Sequence, residues 1–409
     1  MSAFQQGLPS LGPALRDTYG LSTAGLGALL SATSLGTALA VLGCGRMSDR
    51  WDERHVSALG LLGMSASLLV VAFVETAEVA IAILLVAGLF AAAPTVAIVK
   101  GLAQGVPVQR LGLALGIRQS AVPLGGVAAG VLLPALALGY GVRGALAALA
   151  ACLAVAALAV EVTIARSPRE PVGGPRVAGR MPARTWRSVA PVICAAMLYT
   201  FTQTGLLALL VVYLHDELGW ALTRAAAAYA GIMAAAVVVR IAVGSISDTL
   251  GQRRWALFVG IGGSTMALLT GCALSAGRPA VAPLLLAATL LSMSWNSLAF
   301  TMCTERVPLH RLGSVQGVLN CALFTAGGLS PAVLAQVAVG ISWPAAWGLA
   351  ALTTSAGMVV LLRSERARAG AGQHASGSAR LDLYAGVYTE RSNRPQTPVQ
   401  RRPFGSESR

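Results

Sequence analysis

Eleven long apolar stretches run through this chain of 409 residues, separated by short polar segments. A stretch of about 20 apolar residues crosses the hydrocarbon core of a membrane as an α-helix, because lipid offers no partner for backbone hydrogen bonds. Charged residues make up only 11 % of the chain, against about 25 % in a typical soluble domain. The sequence therefore predicts an all-α polytopic membrane protein. The predicted spans are 24–44, 56–74, 79–99, 112–138, 144–163, 189–213, 222–246, 255–275, 280–302, 313–338 and 344–362.

The segment before the first of these spans, residues 1–14, is apolar in parts but too short to cross a membrane. It looks like the last turns of a helix, and the polar residues 16–19 are expected to form the loop that follows. We therefore expect a protein of twelve helices whose first helix is truncated at its N-terminus.

The basic residues between the predicted spans are unevenly distributed. In a twelve-helix scheme, the loops after the even-numbered helices hold fifteen lysines and arginines, whereas the opposite loops hold four. Lys and Arg concentrate in the cytoplasmic loops of membrane proteins, so both termini are predicted to be cytoplasmic in a plasma or inner cell membrane. The formal net charge of +14 thus indicates anchoring in a lipid bilayer and does not indicate nucleic-acid binding.

Two sequence segments occur twice at nearly the same separation. The first pair is residues 45–54 and 244–253, in which Gly, Ser, Asp and Arg recur at an offset of 199. The second pair is residues 106–116 and 307–317, in which Val, Pro, Arg, Leu and two Gly recur at an offset of 201. One offset shared by two unrelated segments indicates duplication of a unit of about six helices, as in transporters built from two parallel repeats.

Residues 45–54 resemble the signature of the major facilitator superfamily, G-x-x-x-D-R-x-G-R-[KR], between the second and third helices. Asp52 stands where the signature has its second glycine, and in the later copy Thr249 stands where it has arginine. The resemblance implies the fold of that superfamily, two pseudo-symmetric six-helix bundles, with contacts at the cytoplasmic helix ends that hold the outward-open state together. The same basic residues also fit ordinary anchoring at the cytoplasmic face. The gating motif comprises Gly45, Asp49, Arg50, Arg54, Gly244, Asp248 and Arg253.

The chain is predicted to consist of four parts. Residues 1–163 form the first bundle, with a partial first helix and five full helices, and residues 189–363 form a second bundle of six helices. Residues 164–188, which are basic and contain four prolines, are predicted to be a cytoplasmic linker. Residues 364–409 are rich in Arg, Ser, Gly and Pro, which predicts a disordered basic cytoplasmic tail.

Two arginines lie well inside predicted spans, Arg118 in the fifth helix and Arg240 in the eighth. A charged side chain is costly there and is therefore a functional candidate. One interpretation is that each guanidinium reaches the cytoplasmic surface or bonds to backbone carbonyls. The other is that it faces a central cavity and binds an anionic substrate. Arg240 has a further interpretation, as a partner of Asp248 in the gate.

Neutral polar residues supply the remaining candidates for substrate binding. Gln119 and Asn320 are related by the repeat, at an offset of 201. Gln203 lies in a polar patch of the seventh helix, and Asn296 lies in the tenth. Each side chain is able to hydrogen-bond a substrate or merely to bridge two helices. The candidate substrate-binding residues are Arg118, Gln119, Gln203, Arg240, Asn296 and Asn320.

The sequence argues against several classes of protein. An ATP-driven pump is excluded because Lys100 is the only lysine and Gly101 follows it, so no G-x-x-x-x-G-K-[ST] loop exists. No enzyme is predicted, since the four histidines lie outside the predicted spans or at their ends and no carboxylate pair lies within one. The six cysteines form no C-x-x-C pair, and neither a metal site nor a cofactor is expected.

The resemblance implies secondary active transport of a small solute by alternating access. An organic or inorganic anion is the first candidate substrate, because of the two arginines. Drug or metabolite efflux by proton antiport is the alternative, with the proton as coupling ion. A non-transporting membrane sensor on the same fold is the alternative from another class. A monomer is expected.

Overall fold

The computed structural model describes residues 1–48, 52–105, 111–163, 182–275, 278, 280–307 and 311–374, and this part of the chain is helical, without a strand. A π-helical turn, Tyr213–Glu217, continues α7, and a 3-10 turn, Gly251–Arg253, precedes α9. The α-helices are α1 (Ser2–Ser10), α2 (Gly12–Tyr19), α3 (Thr23–Ser48), α4 (Glu53–Phe73), α5 (Ala77–Gly105), α6 (Leu111–Thr163), α7 (Ala183–Val212), α8 (Leu222–Leu250), α9 (Arg254–Leu274), α10 (Val281–Ser292), α11 (Asn296–Glu305), α12 (Leu312–Gly340) and α13 (Trp343–His374).

Among the described residues, nine helical segments are long and apolar enough to cross a membrane. The predicted class, an all-α polytopic membrane protein, is confirmed. One of the nine, Ser120–Val162, covers most of two predicted spans, because the chain passes from one helix into the next at Gly141, where φ is 71° and ψ is 174°. The first predicted span falls on α3, which has a shorter apolar segment, Gly25–Val41.

The polar residues 16–19 belong to a helix, and the prediction of a loop there is wrong. They form the last part of α2, which has a proline in its first turn, where the missing amide costs nothing. Leu15 of this helix is buried, so packing against the rest of the molecule stabilises it. Gly20, with φ of 61°, ends α2 in the left-handed region that favours glycine.

Two helices extend past the predicted domain boundaries. α7 begins at Ala183, inside the predicted linker 164–188, and α13 continues to His374, beyond the predicted end of the second bundle. In this polar part of α13, Arg368 Nη1 lies 3.5 Å from Glu365 Oε1, a pair at i,i+3 spacing that supports a helix. The remainder of the linker, 164–181, and residues 375–409 lie outside the described residues.

Residues 1–362 form one compact unit. In its first half, α5 packs against α3 and α4, and α6 packs against α4 and α1; in its second half, α7 packs against α12 and α9 against α10. One apolar core lies in the first half and two lie almost entirely in the second. The halves meet mainly where α3 packs against α12 and where α6 packs against α8, and a smaller contact joins α6 to α11. We call the two larger helix contacts together the seam.

Candidate functional site

The first part of the seam joins α6 to α8. Ser120 Oγ on α6 donates to Val237 O on α8 at 3.3 Å. Farther along this contact, a Cβ built on Gly126 would lie 3.1 Å from Met233 Sδ and 3.3 Å from Gln6 Cβ. Helices α1, α6 and α8 therefore meet at Gly126, and the absence of a side chain there permits their close approach.

The second part of the seam joins α3 to α12, which run antiparallel. Cys321 Sγ on α12 lies 3.6 Å from Ala38 O on α3, at the distance of a weak hydrogen bond. Nearer the start of α3, a Cβ built on Gly27 would lie 3.5 Å from Ala332 Cα. The two helices thus stay in contact over several turns, and small residues line the contact.

Arg240 on α8 is almost completely buried, with 2 % of its surface exposed. Its Nε donates to Met293 O at 2.7 Å, and its Nη2 donates to Asn296 Oδ1 at 3.1 Å. Met293 directly follows α10, and Asn296 is the first residue of α11. The structure therefore brings Arg240 and Asn296, two predicted site residues, together at a break in the tenth predicted helix. Val237, which contacts Ser120, lies about one turn away on α8.

Gln203 and Asn320 lie on helices that pack against each other, α7 and α12. Gln203 is buried, and its Oε1 has no hydrogen-bond partner among the described residues. Asn320 is also buried, and its Nδ2 donates to Gln316 O on its own helix at 2.8 Å. Gln316 in turn bonds to α11, because its Nε2 donates to Phe300 O at 3.2 Å. Gln203 therefore has an unused acceptor, whereas Asn320 belongs to a network that reaches α11.

Arg118 and Gln119 lie on α6, within two residues of the Ser120 contact. Their side chains lie outside those that the structure describes. The position of their backbone places this turn of α6 at the seam.

The first copy of the gating motif lies where α3 ends and α4 begins. Helices α3, α8 and α11 end, and helices α4 and α9 begin, at one end of the molecule. We call this end the motif end. Gly45 lies in the last turn of α3, whereas Asp49 and Arg50 lie outside the described residues. Arg54 is near the start of α4, and its Nε lies 3.7 Å from Glu161 Oε1 at the end of α6. The motif thus ties two helices of the first half together.

His55 and Asp52 complete this cluster of the first half. His55 Nδ1 lies 2.8 Å from Glu161 Oε1, and Arg54 Nε lies 3.5 Å from Asp52 Oδ2. Asp52 also caps α4, since its Oδ1 accepts a hydrogen bond from Arg54 N at 3.2 Å. Asp52 therefore has a structural role at the place where the superfamily signature has glycine.

The second copy of the motif lies where α8 ends and α9 begins. Gly244 and Asp248 lie in the last turns of α8, and Arg253 is exposed. The ion pair here is made by the next residue: Arg254 Nη2 lies 3.0 Å from Glu305 Oε1 at the end of α11. Arg254, which is buried, therefore makes in the second half the kind of contact that Arg54 makes in the first.

Sequence reasoning missed three partners that the structure places at these sites. Gln6 reaches the seam from α1, and Gln316 links α12 to α11. Glu305 is the carboxylate that pairs with Arg254. Its position at the end of a predicted span was a signal that it lies near the motif end, but the separation along the chain gave no sign of its partner.

Two packed helical halves, a repeated charged motif at one end and buried polar side chains near their seam are typical of a membrane transporter. The sequence profile of the Major Facilitator Superfamily matches residues 1–331, and the chain belongs to this family. The predictions of this family and of its fold are confirmed. The chain is a multi-pass membrane transporter and not an enzyme.

Known proteins of the same family are similar over most of the chain. The uncharacterized MFS-type transporter Rv2994 of Mycobacterium tuberculosis is 26 % identical over 351 residues, which are 85 % of this chain and 78 % of the relative. The crystal structure of the human organic anion transporter MFSD10 (TETRAN) is similar with a TM-score of 0.66 and 18 % identity, over 88 % of this chain and 95 % of that one. The transporter FucP in the outward conformation is similar with a TM-score of 0.64 and 14 % identity, over 89 % of this chain and 97 % of that one. These two structures share the fold.

Proposed function

We propose that this transporter carries a small organic or inorganic anion by alternating access of its two halves. The observation that carries the proposal is the contact between Ser120 and Val237, 3.3 Å long. It places the turn of α6 that bears Arg118 beside the turn of α8 that bears Arg240. Arg118 and Arg240 thus lie on adjacent turns of the seam.

The sequence offers no nearby carboxylate on these helices to balance the two positive charges. The only acidic residue of α6 is Glu161, near its far end, and the only one of α8 is Asp248. Asp248 is eight positions from Arg240, which is about 12 Å along a helix. A charged side chain inside a membrane protein is costly, and a bound anion would give these arginines a favourable partner. Arginine suits carboxylate and phosphate because its donors form a planar fork.

Arg240 contributes to such a site chiefly through its charge. Two of its donors bond to Met293 O and Asn296 Oδ1, which are neutral acceptors, so these two bonds do not neutralise its positive charge. In a site of low polarity the field of that charge extends over several ångströms. Direct contact with the anion is therefore assigned to Arg118 and, through its unused Oε1, to Gln203 for a substrate that also carries a hydrogen-bond donor.

The motif end is proposed to face the cytoplasm, as the excess of basic residues in its loops indicates. Both termini are then cytoplasmic, in the cell membrane, and the monomer is the transporting unit. MFSD10 is named as an organic anion transporter. That name agrees with the proposal, but at 18 % identity the similarity shows only the shared fold.

Flux into proteoliposomes tests the proposal. The probes are lactate, succinate and inorganic phosphate as anions and tetraphenylphosphonium as a cation, each with and without a pH gradient. We expect saturable exchange of at least one anion, and a loss of about tenfold or more in its apparent affinity in Arg118→Gln. Arg143→Gln is the matched control, because Arg143 is largely exposed and lies 3.6 Å from the exposed Glu75.

Other outcomes of this experiment point to the alternatives. Accumulation of tetraphenylphosphonium driven only by a proton gradient, without anion flux, would establish drug efflux by proton antiport and reject the anion. Absence of flux for every probe, in protein that is shown to be folded, would favour a sensor. An unchanged anion affinity in Arg118→Gln would remove Arg118 from the site.

A further inference from the structure

The tenth predicted helix is broken close to its middle, and its second half is a short helix. Helix α10 ends at Ser292, three residues follow, and α11 runs from Asn296 to Glu305. The segment between them contains Met293, Ser294 and Trp295, without a proline or a glycine. Breaks of this kind usually need one of those residues or an inserted polar group. An inserted group is present here, the guanidinium of Arg240.

Arg240 reaches the break from α8 and bonds to both sides of it. Its Nε donates to Met293 O, at the end of α10, and its Nη2 donates to the side chain of Asn296, at the start of α11. The last carbonyls of a helix lack partners within the helix, and a cation near them is favoured by the helix dipole. Because no water is available in the membrane interior, these bonds stabilise the broken conformation.

Helix α11 is also held at other points along its length. Gln316 Nε2 on α12 donates to Phe300 O at 3.2 Å and to Thr304 Oγ1 at 3.0 Å. At the motif end, Arg254 on α9 lies 3.0 Å from Glu305. The ten-residue helix therefore has polar contacts with α8, α12 and α9, as expected for an element whose position must be set accurately.

We propose that Arg240 is a positioning residue for α11. The two hydrogen bonds of its guanidinium hold α11 closed against the second bundle at the motif end. When these hydrogen bonds break, α11 turns about residues 293–295 and the molecule opens at that end. The role of the guanidinium here depends on its shape, because its donors are spread over a rigid plane, whereas the donors of a lysine all lie on one nitrogen atom. The proposal does not depend on which solute is carried.

Two native cysteines allow a test without any substrate. Cys303 lies on α11 and is fully buried, and Cys272 lies on α9 and is 1 % exposed. Two reporter proteins are made in which only one of these cysteines is kept and the other five are replaced by alanine or serine. Alkylation by N-ethylmaleimide is measured in lipid nanodiscs, which leave both membrane faces open to the reagent. Opening of α11 exposes Cys303, whereas general loosening of the second half exposes both.

We expect Arg240→Lys to raise the alkylation rate of Cys303 by about tenfold or more, as loss of a charge-assisted hydrogen bond shifts a local opening equilibrium by that factor. The rate of Cys272 should stay within about twofold. Asn296→Ala, which leaves the arginine in place, should raise only the Cys303 rate, by a smaller factor. Arg224→Lys is the matched control at the other end of α8, where Arg224 lies over the Trp220 ring at 4.1 Å, and it should change neither rate.

Two results would overturn the proposal. If Arg240→Lys leaves the alkylation rate of Cys303 at the wild-type value, a positive charge alone is enough to hold α11, and the guanidinium has no positioning role. If both cysteines react faster to the same extent in Arg240→Lys and in Asn296→Ala, the residues stabilise the bundle as a whole and do not control α11.

Discussion

Arg254 Nη2 lies 3.0 Å from Glu305 Oε1 and so joins the start of α9 to the end of α11. The side chain of Arg254 is 6 % exposed and that of Glu305 is 36 % exposed. A buried arginine is well tolerated only while its partner is ionised, because an unpaired charge in such a place is costly. The pair therefore fixes the motif-end tip of α11 while it leaves one side of the carboxylate accessible to solvent.

Replacing Glu305 by glutamine should destabilise this end of the second half. We expect Glu305→Gln to lower the free energy of unfolding by about 1–3 kcal/mol, less than for a fully buried pair because the carboxylate is partly solvated. Denaturation of the purified protein in mixed micelles measures this change. Arg253→Gln is the control, since Arg253 is exposed, and its effect should stay within about 0.5 kcal/mol. Equal effects of the two substitutions would show that the ion pair contributes nothing.

A disulfide across the seam should lock the two halves together. Cys321 Sγ lies 3.6 Å from Ala38 O, so the two residues are neighbours at the seam, and a disulfide between them requires Cα atoms about 4–7 Å apart. We expect Ala38→Cys to form an oxidised cross-link with native Cys321 and to stop transport, with recovery after reduction. Band shifts in non-reducing gels and parallel flux assays measure both effects.

The control for this cross-link lies on the next residue of the same helix. Leu39 is 70 % exposed and points away from α12, so Leu39→Cys should give no cross-link and normal flux. Full transport by the oxidised Ala38→Cys protein would mean that α3 and α12 do not separate during the cycle.

Two glycines allow α3 and α5 to cross in close contact within the first half. A Cβ built on Gly36 would collide with Leu85 O, and one on Gly88 would collide with Thr33 O. Gly36→Ala and Gly88→Ala should each push the helices apart and cost about 1–3 kcal/mol of stability, the usual range for overpacking. Gly43→Ala on α3 is the control, because nothing lies within 4 Å of a Cβ there. It should be neutral or stabilising, since alanine favours a helix. Comparison of thermal unfolding midpoints in detergent decides between these outcomes.

The sequence predicted those parts of the molecule that depend on composition and repetition. Spans follow from the length of apolar stretches, so their positions on helices such as α4 and α9 were predictable. The two copies of the motif at one offset predicted a duplicated bundle, and the resemblance of the motif to the superfamily signature predicted the family. Residues 16–19 were misjudged because polar side chains are tolerated in a helix whose other face is buried, as Leu15 is.

Contacts between distant segments were not predictable. The motif spacing favoured Arg253 as the equivalent of Arg54, yet the structure buries its neighbour Arg254, because the direction in which α9 leaves the 3-10 turn decides which arginine meets α11. The break at residues 293–295 carries no proline or glycine and therefore left no local signal. The approach of Arg240 from another helix accounts for it, together with the back-bond from Ser294 Oγ to Leu290 O.

A substitution of Gln203 distinguishes a role in substrate binding from a role in helix packing. Its buried Oε1 lacks a hydrogen-bond partner among the described residues, and an unsatisfied buried polar atom costs about 1–3 kcal/mol. Gln203→Leu should therefore raise the unfolding temperature of the substrate-free protein. If Oε1 accepts a hydrogen bond from the substrate, the same change should lower the affinity and so raise the half-saturation concentration for anion exchange by about tenfold or more.

Thr202, on the same helix, is the matched control for Gln203. Its Oγ1 lies 3.0 Å from Ala350 O and 2.8 Å from Thr354 Oγ1, so its hydrogen bonds are satisfied by α13. Thr202→Val should lower stability by about 1 kcal/mol and leave the half-saturation concentration unchanged. The opposite pattern would be a Gln203→Leu protein that is less stable but exchanges anions normally. It would assign Gln203 to helix packing, because a side chain that stabilises the empty protein without affecting affinity does not contact the substrate.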